Sequence, residues 1–167
     1  MTLYPTLLWL ALVALPPDAE IGAWATLRGV PVDVARAIAS AETGNVAEPR
    51  LLRSMGNKPH RDNIIAQGGV GRMQVNPSVQ WKRLGYRSRS EAVRALQNRH
   101  VNIYAGVLIL AAFQRRYEPL TRSIHDCRCG RPHSWTAHYN GSKRMDSYGR
   151  RVVRKVELAR YGNRRDW

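Results

Sequence analysis

The stretch from Val101 to Phe113 limits the fold more than any other part of the chain. Val101, Ile103, Tyr104, Val107, Leu108, Leu110, Ala111, Ala112 and Phe113 leave almost no polar face when wound as a helix. A helix that is apolar nearly all round has to be wrapped by other elements, so it belongs in the middle of a domain. Arg115, Arg116 and Tyr117 end it. With 167 residues the chain can build one such wrapped core and is too short for two comfortable ones.

Helical patterning recurs on both sides of this stretch. From Val30, Pro31 suits a first helical turn, where its missing N–H does no harm. Ala35, Ile38 and Ala39 then form one apolar stripe, and Gly44 is a stop signal. Residues 45–71 mix Gly, Asn, Pro and charges with weak periodicity, and read as a long excursion or small hairpin. Loops of that length in a compact domain often carry function. Asn76-Pro77 opens a helix to about Leu84, stopped by Gly85, and Ser90-Glu91 opens another. A short helix is expected around Ser134 to Tyr139, and a basic one from about Asp146 to Tyr161. The expected fold is mainly α.

Glu42 falls four residues after Ile38 and seven after Ala35, on the same face as the apolar stripe. A carboxylate there is costly to ionise unless paired, so its pKa should rise, as a general acid requires near neutral pH. A glutamate in the last turn of a helix can equally be exposed or bonded to nearby backbone. The rest of the chain bears on the choice. Thr43 follows Glu42 directly. Gly68-Gly69-Val70-Gly71-Arg72-Met73-Gln74-Val75-Asn76-Pro77 comes next, then Asn102-Ile103 with Gly106, then Ala137-His138-Tyr139-Asn140-Gly141-Ser142 and Tyr148.

These four blocks, in this order over residues 27–153, resemble the SLT-type lytic transglycosylases of the lysozyme superfamily. There a Glu-Ser pair ends the first core helix, and a Gly-Ala-x-Gly-Leu-Met-Gln-x-x-Pro turn lies beside it. An Asn-Ile…Gly pattern lies on the central helix, and a Tyr-Asn-x-Gly block lines the cleft. The resemblance implies a lysozyme-like single domain over residues 26–167, with Glu42 as catalytic acid/base. It implies substrate contacts from Thr43, Met73, Gln74, Tyr139 and Asn140; for Met73, core filling is an alternative reading. It also implies a monomer that cleaves peptidoglycan glycan strands without metal or organic cofactor. In this family the glutamate protonates the glycosidic oxygen after N-acetylmuramic acid, the substrate's acetamido group stabilises C1, and the same carboxylate then helps the C6 hydroxyl close a 1,6-anhydro ring. The chain departs from the pattern at Thr43, where the family has Ser, at Arg72, where it has Leu, and at Ile65, where a Ser often stands.

Most glycosidases use two carboxylates, and here only Glu42 sits on a recognisable motif. Glu48 and Asp62, in the long excursion, are what a hydrolytic lysozyme of similar fold would use to position water. A rival of another class is a basic binding module for nucleic acid or the envelope. Twenty-seven Lys and Arg against twelve Asp and Glu leave a net charge of +15, which draws a protein to polyanions. Those include nucleic acid, anionic lipid and wall glycan bearing peptide carboxylates. Arg150 with Arg154, and Arg151 with Lys155, place like charges four residues apart, as befits a face that meets an anionic partner. The aromatic and basic residues do not interleave as base-stacking surfaces require, so no specific nucleic acid is expected. A catalytically weakened relative serving as a scaffold in an envelope-spanning machine is a further reading.

Two segments stand apart. Leu7 to Leu15 is an apolar run too short to span a bilayer, with the length of a signal-peptide core and a small-x-small site at Ala23-Trp24-Ala25. Residues 1–25 are therefore expected to be a signal peptide, or alternatively a hydrophobic segment packed as a helix against the domain. Export would place the protein in the periplasm or cell envelope, where service to a secretion or conjugation apparatus fits. The second segment holds both cysteines, Cys127 and Cys129, with His125, Asp126 and His133 close by. One intervening residue is tighter than the usual zinc spacing and no second pair exists. The expectation is a loop with a strained local disulfide or two free thiols, and no metal.

Overall fold

A computed structural model describes residues 11–12, 14–43, 69–129, 131, 133–139 and 145–162. The described residues are mainly α-helical: α1 (Pro17–Arg28), α2 (Val32–Thr43), a single turn α3 (Pro77–Gln80), α4 (Arg89–Leu96), α5 (Arg99–Tyr117), the 3-10 helix η1 (Trp135–Tyr139) and α6 (Met145–Tyr161). The one β-type pairing among them is a bridge between Val70 and Val75. No described helix is long and apolar enough to cross a membrane.

As its sequence demands, α5 is wrapped. Its residues Ile103, Ala105, Val107, Ile109, Leu110 and Ala111 are all buried, and α1, α4 and η1 pack on it. The remaining neighbours close a ring: α1 packs on α2, α2 on α6, and α6 on η1. One continuous core fills it, from Ile21 and Ile38 to Trp135 and Tyr148. On α6 the buried positions Tyr148, Val152, Val153 and Val156 recur at helical spacing and set the face that meets α2. Lys155 Nζ donates to Ser40 Oγ at 3.0 Å, and Arg160 pairs with Asp33. Of the expected basic face of α6, Lys155 is thus turned toward α2, while Arg150, Arg151 and Arg154 stay exposed.

Helix starts follow local chemistry. Pro17 stands in the first turn of α1 with Asp18 and Glu20, where acidic groups suit the helix dipole. Asn76 caps α3 through Ser78 N–H and Asn98 caps α5 through His100 and Val101 N–H. Helix α4 opens at Ser88, not at Ser90. Ser88 Oγ accepts from Glu91 N–H while Glu91 accepts from Arg87 N–H, a reciprocal box that puts the start two residues earlier. The helix expected from Asn76-Pro77 is α-helical only to Gln80, with turns continuing to Gly85.

Helix α1 crosses the segment read from sequence as a leader or a packed helix. Ile21, Trp24 and Ala25 lie in the core, and Leu12 joins them. Trp24 meets Tyr104 of α5 edge-on at 4.7 Å, and Arg28 donates to the Tyr104 hydroxyl at 2.7 Å. Ala23-Trp24-Ala25 sits within this helix. Gly44, the excursion up to residue 68, Glu48, Asp62, Ile65 and Asn140 to Ser142 lie outside the described residues.

Candidate active site

The apolar stripe of α2 carries Val34, Ala35, Ile38 and Ala39 into the core and brings Glu42, one turn beyond Ile38, to the edge of a cavity of about 300 Å³. Gln74, Asn76, Gln80, Phe113, His138 and Tyr139 line the same cavity, with Val75, Val79 and Ile109 as apolar wall. Glu42 is the one carboxyl among the described residues that lines it. Burial pushes its pKa above the ordinary value of 4.5; the Tyr148 hydroxyl and, after it, the Arg151 guanidinium pull it partway back. The Tyr148 hydroxyl is itself buried and has no partner of full hydrogen-bond geometry, so its contact with the Glu42 carboxyl is a loose one. Burial and the nearby Glu42 in turn raise the pKa of Tyr148 and of Tyr139. Both phenols are therefore neutral hydrogen-bonding groups around one carboxyl.

The floor of the cavity is the turn from Val70 to Val75. Val70 and Val75 exchange backbone hydrogen bonds at 2.9 and 3.1 Å. Asn102 of α5 clamps the turn from below: its Nδ2 donates to Val70 C=O at 2.6 Å and its Oδ1 accepts from Met73 N–H at 2.9 Å. Gly71, at φ +68°, lies so close that a Cβ there would stand 2.5 Å from the Asn102 side chain. The result holds Gln74 at φ +45°, a left-handed conformation uncommon for a side-chain-bearing residue. Strain of this kind survives only where the surroundings over-determine it, and it concentrates at functional sites. Gln74 Nε2 donates back to Gly71 C=O at 2.8 Å, which fixes the amide at the cavity edge.

Met73 lies beneath this floor and does not line the cavity. Its side chain is fully buried against Gly106 of α5, where a Cβ would come within 2.4 Å of it. Its carbonyl oxygen accepts from the Tyr139 hydroxyl at 2.8 Å, so Met73 anchors Tyr139. Thr43 ends α2 beside Glu42. Arg72 does not line the cavity and pairs with Asp18 of α1 at 3.0 Å.

Of the residues expected from sequence, Glu42, Gln74 and Tyr139 come together around one cavity, and Asn140 lies outside the described residues. Sequence reasoning missed Val79, Gln80, Phe113 and His138 as lining residues; Phe113 was visible only as part of a core helix. It set Cys127, Cys129 and His133 together with His125 and expected no metal; the structure gathers the first three with His138 instead, and both thiols are free. The chain was compared with protein-family models, curated proteins and solved structures, and none of them matches it.

Proposed function

We propose that the chain is a lysozyme-like peptidoglycan lytic transglycosylase that cleaves the β-1,4 bond between MurNAc and GlcNAc, with Glu42 as its single acid/base. The observation that carries this reading is the setting of Glu42. It is the one carboxyl on the cavity among the described residues, burial raises its pKa, and the Tyr148 hydroxyl and Arg151 partly oppose that rise. A carboxyl whose pKa burial raises is biased toward its protonated form, and from that form it can give its proton to the glycosidic oxygen as the C1–O bond breaks. The carbonyl oxygen of the substrate's own acetamido group then bonds to C1, so no second protein carboxylate is needed. Glu42, now a carboxylate, takes the proton of the C6 hydroxyl, O6 displaces the acetamido oxygen at C1, and the 1,6-anhydro ring closes. The proton count balances, with Glu42 protonated again at the end.

The same group must serve as acid and then as base, which works best with a pKa near the working pH. Opposing effects of burial against Tyr148 and Arg151 are the means of setting it. Gln74 and Gln80 offer amide groups to sugar substituents, and Val79 with Phe113 offers apolar surface to the ring faces. The +15 charge suits a wall polymer rich in peptide carboxylates. An envelope setting after export, in service of a secretion or conjugation apparatus, accords with this substrate.

Mass spectrometry of products from purified peptidoglycan tests the reading. The expected products end in 1,6-anhydro-MurNAc. Reducing ends would replace it with a hydrolytic lysozyme, water being positioned by Glu48 or Asp62. No release, together with steeply salt-dependent DNA binding, would replace it with a basic binding module.

A further inference from the structure

Four potential ligand atoms converge beside η1. Cys127 and Cys129 come from the turn after α5, His133 from the following strand of chain, and His138 from η1 itself; their ligand atoms all lie within 4.8 Å of one another. Cys127 Sγ is 3.2 Å from His138 Nε2, Cys129 Sγ is 3.4 Å from His133 Nε2, and the two Nε2 atoms are 3.3 Å apart. A tetrahedral zinc with Zn–S of about 2.3 Å and Zn–N of about 2.0 Å has N–N edges of about 3.3 Å and S–N edges of about 3.5 Å. These three edges fall within a few tenths of an ångström of those values, and the other two S–N edges lie within 4.8 Å. The two sulfurs, at 2.7 Å, are closer than the corresponding edge of about 3.8 Å. Cys129 lies at the exposed end of the turn, where its side chain can swing outward to open that edge.

The groups around the cluster hold it in this arrangement. His133 is buried, and its other ring nitrogen, Nδ1, faces the Asp146 carboxylate at 3.5 Å. A carboxylate behind the second nitrogen is the usual device that orients a metal-bound histidine. The His138 ring lies flat on Tyr117, with centroids 3.6 Å apart and planes 7° from parallel. The backbone folds the turn to suit: Arg128 N–H donates to Tyr117 C=O at 2.8 Å, Trp135 N–H to Asp126 C=O at 3.0 Å, and Cys129 N–H points at Cys127 Sγ at 3.3 Å. Two imidazoles that aim the same nitrogen at each other across two thiols have little to gain without a cation between them.

We propose that Cys127, Cys129, His133 and His138 form a structural zinc site. Two thiolates and two imidazoles are a donor set that favours zinc over hard cations. Four protein ligands leave no open position for substrate, so the site is a staple and takes no part in bond cleavage. It ties the end of α5 to η1 and holds the segment that delivers Tyr139 to the cavity. His125, the histidine nearest the cysteines in sequence, is not part of it and faces Glu157 at 3.4 Å.

Elemental analysis of the full chain, purified under reducing conditions from zinc-supplemented cells, tests the proposal. A single zinc per chain is expected. It should be lost in Cys127→Ser and in His138→Ala and kept in His125→Ala. Because a ligand variant can fail to fold, cobalt(II) exchange into the wild-type protein supplies a second readout: visible absorption of tetrahedral cobalt with thiolate charge-transfer bands. A chain that takes up neither zinc nor cobalt with both thiols reduced overturns the proposal. So does metal retained equally in Cys127→Ser, or a Cys127–Cys129 disulfide that yields no metal site after reduction.

Discussion

Two glutamates enter the interior from neighbouring helices, and they are treated in opposite ways. Glu20 of α1 is fully buried, yet both its oxygens lie 3.0 Å from His100 Nδ1, and Arg99 Nε approaches one of them to 3.6 Å. Glu42 of α2 is less deeply placed, at the edge of a cavity, and the group set against its carboxyl is the hydroxyl of Tyr148, with Arg151 acting from farther out. Burial makes a charged carboxyl costly in either place. At Glu20 the cost is offset by basic side chains, which fix the carboxyl as a link between α1 and the start of α5. At Glu42 it is left largely in place and appears as a raised pKa. What separates a structural carboxylate from a candidate proton donor is therefore its partners, not the depth of its burial.

The largest effect that this contrast predicts is on activity. Glu42→Gln keeps the shape of the side chain and cannot transfer a proton, so muropeptide release should fall about 10³-fold, within the range for loss of a general acid. The protein should remain folded. Ionising Glu42 in the fold is unfavourable because its folded pKa is raised, so stability from the neutral carboxyl is present below the unfolded pKa and lost as pH rises through the folded one. Glu42→Gln should accordingly melt slightly higher than the wild type at pH 7, and the difference should vanish in acid. A lower melting temperature at pH 7 would make Glu42 a structural residue like Glu20.

The converse substitution sharpens the contrast. Glu20→Gln leaves Arg99 and His100 facing a neutral amide and should cost about 2 kcal/mol, less than the about 3–5 kcal/mol of a fully enclosed pair because both partners reach solvent. Denaturant unfolding reads the loss, and specific activity of the folded fraction should hold. If Glu20→Gln lowered activity as much as Glu42→Gln does, partner chemistry would not be what distinguishes the two sites.

A smaller effect concerns tuning. Tyr148→Phe removes the stronger of the two influences that lower the Glu42 pKa, so the basic limb of the pH–activity profile should move to higher pH. Arg151→Gln should move it the same way by less. A shift in the other direction would mean that Tyr148 acts on another group.

Parts of this arrangement were legible in the sequence because their periodicity is local. The unbroken apolar surface of Val101 to Phe113 announced the central helix, and the four- and seven-residue spacings from Ile38 and Ala35 placed Glu42 on the core face. Glu20 drew no notice, because its partners come from Arg99 and His100, some eighty residues on, and its own segment reads equally as a leader. The clamp of Asn102 on the turn at Gly71 and the contact of Met73 with Gly106 are likewise long-range, so Met73 looked like a cleft residue when it lies under the floor. The cysteine cluster shows the same limit. Spacing grouped Cys127 and Cys129 with His125 and His133, whereas the fold keeps His133 and the fold-back of η1 brings His138 in place of His125. Ser88 is a different failure: Ser88-x-x-Glu91 is a local signal that was there to be read.

The most direct measurement is a ¹³C NMR titration of the Glu42 carboxyl in the wild-type protein. A pKa clearly above the ordinary 4.5, moving further up in Tyr148→Phe, is the expected result. A value at or below 4.5 would describe a carboxylate already ionised where the enzyme must donate a proton, and would contradict Glu42 as the acid.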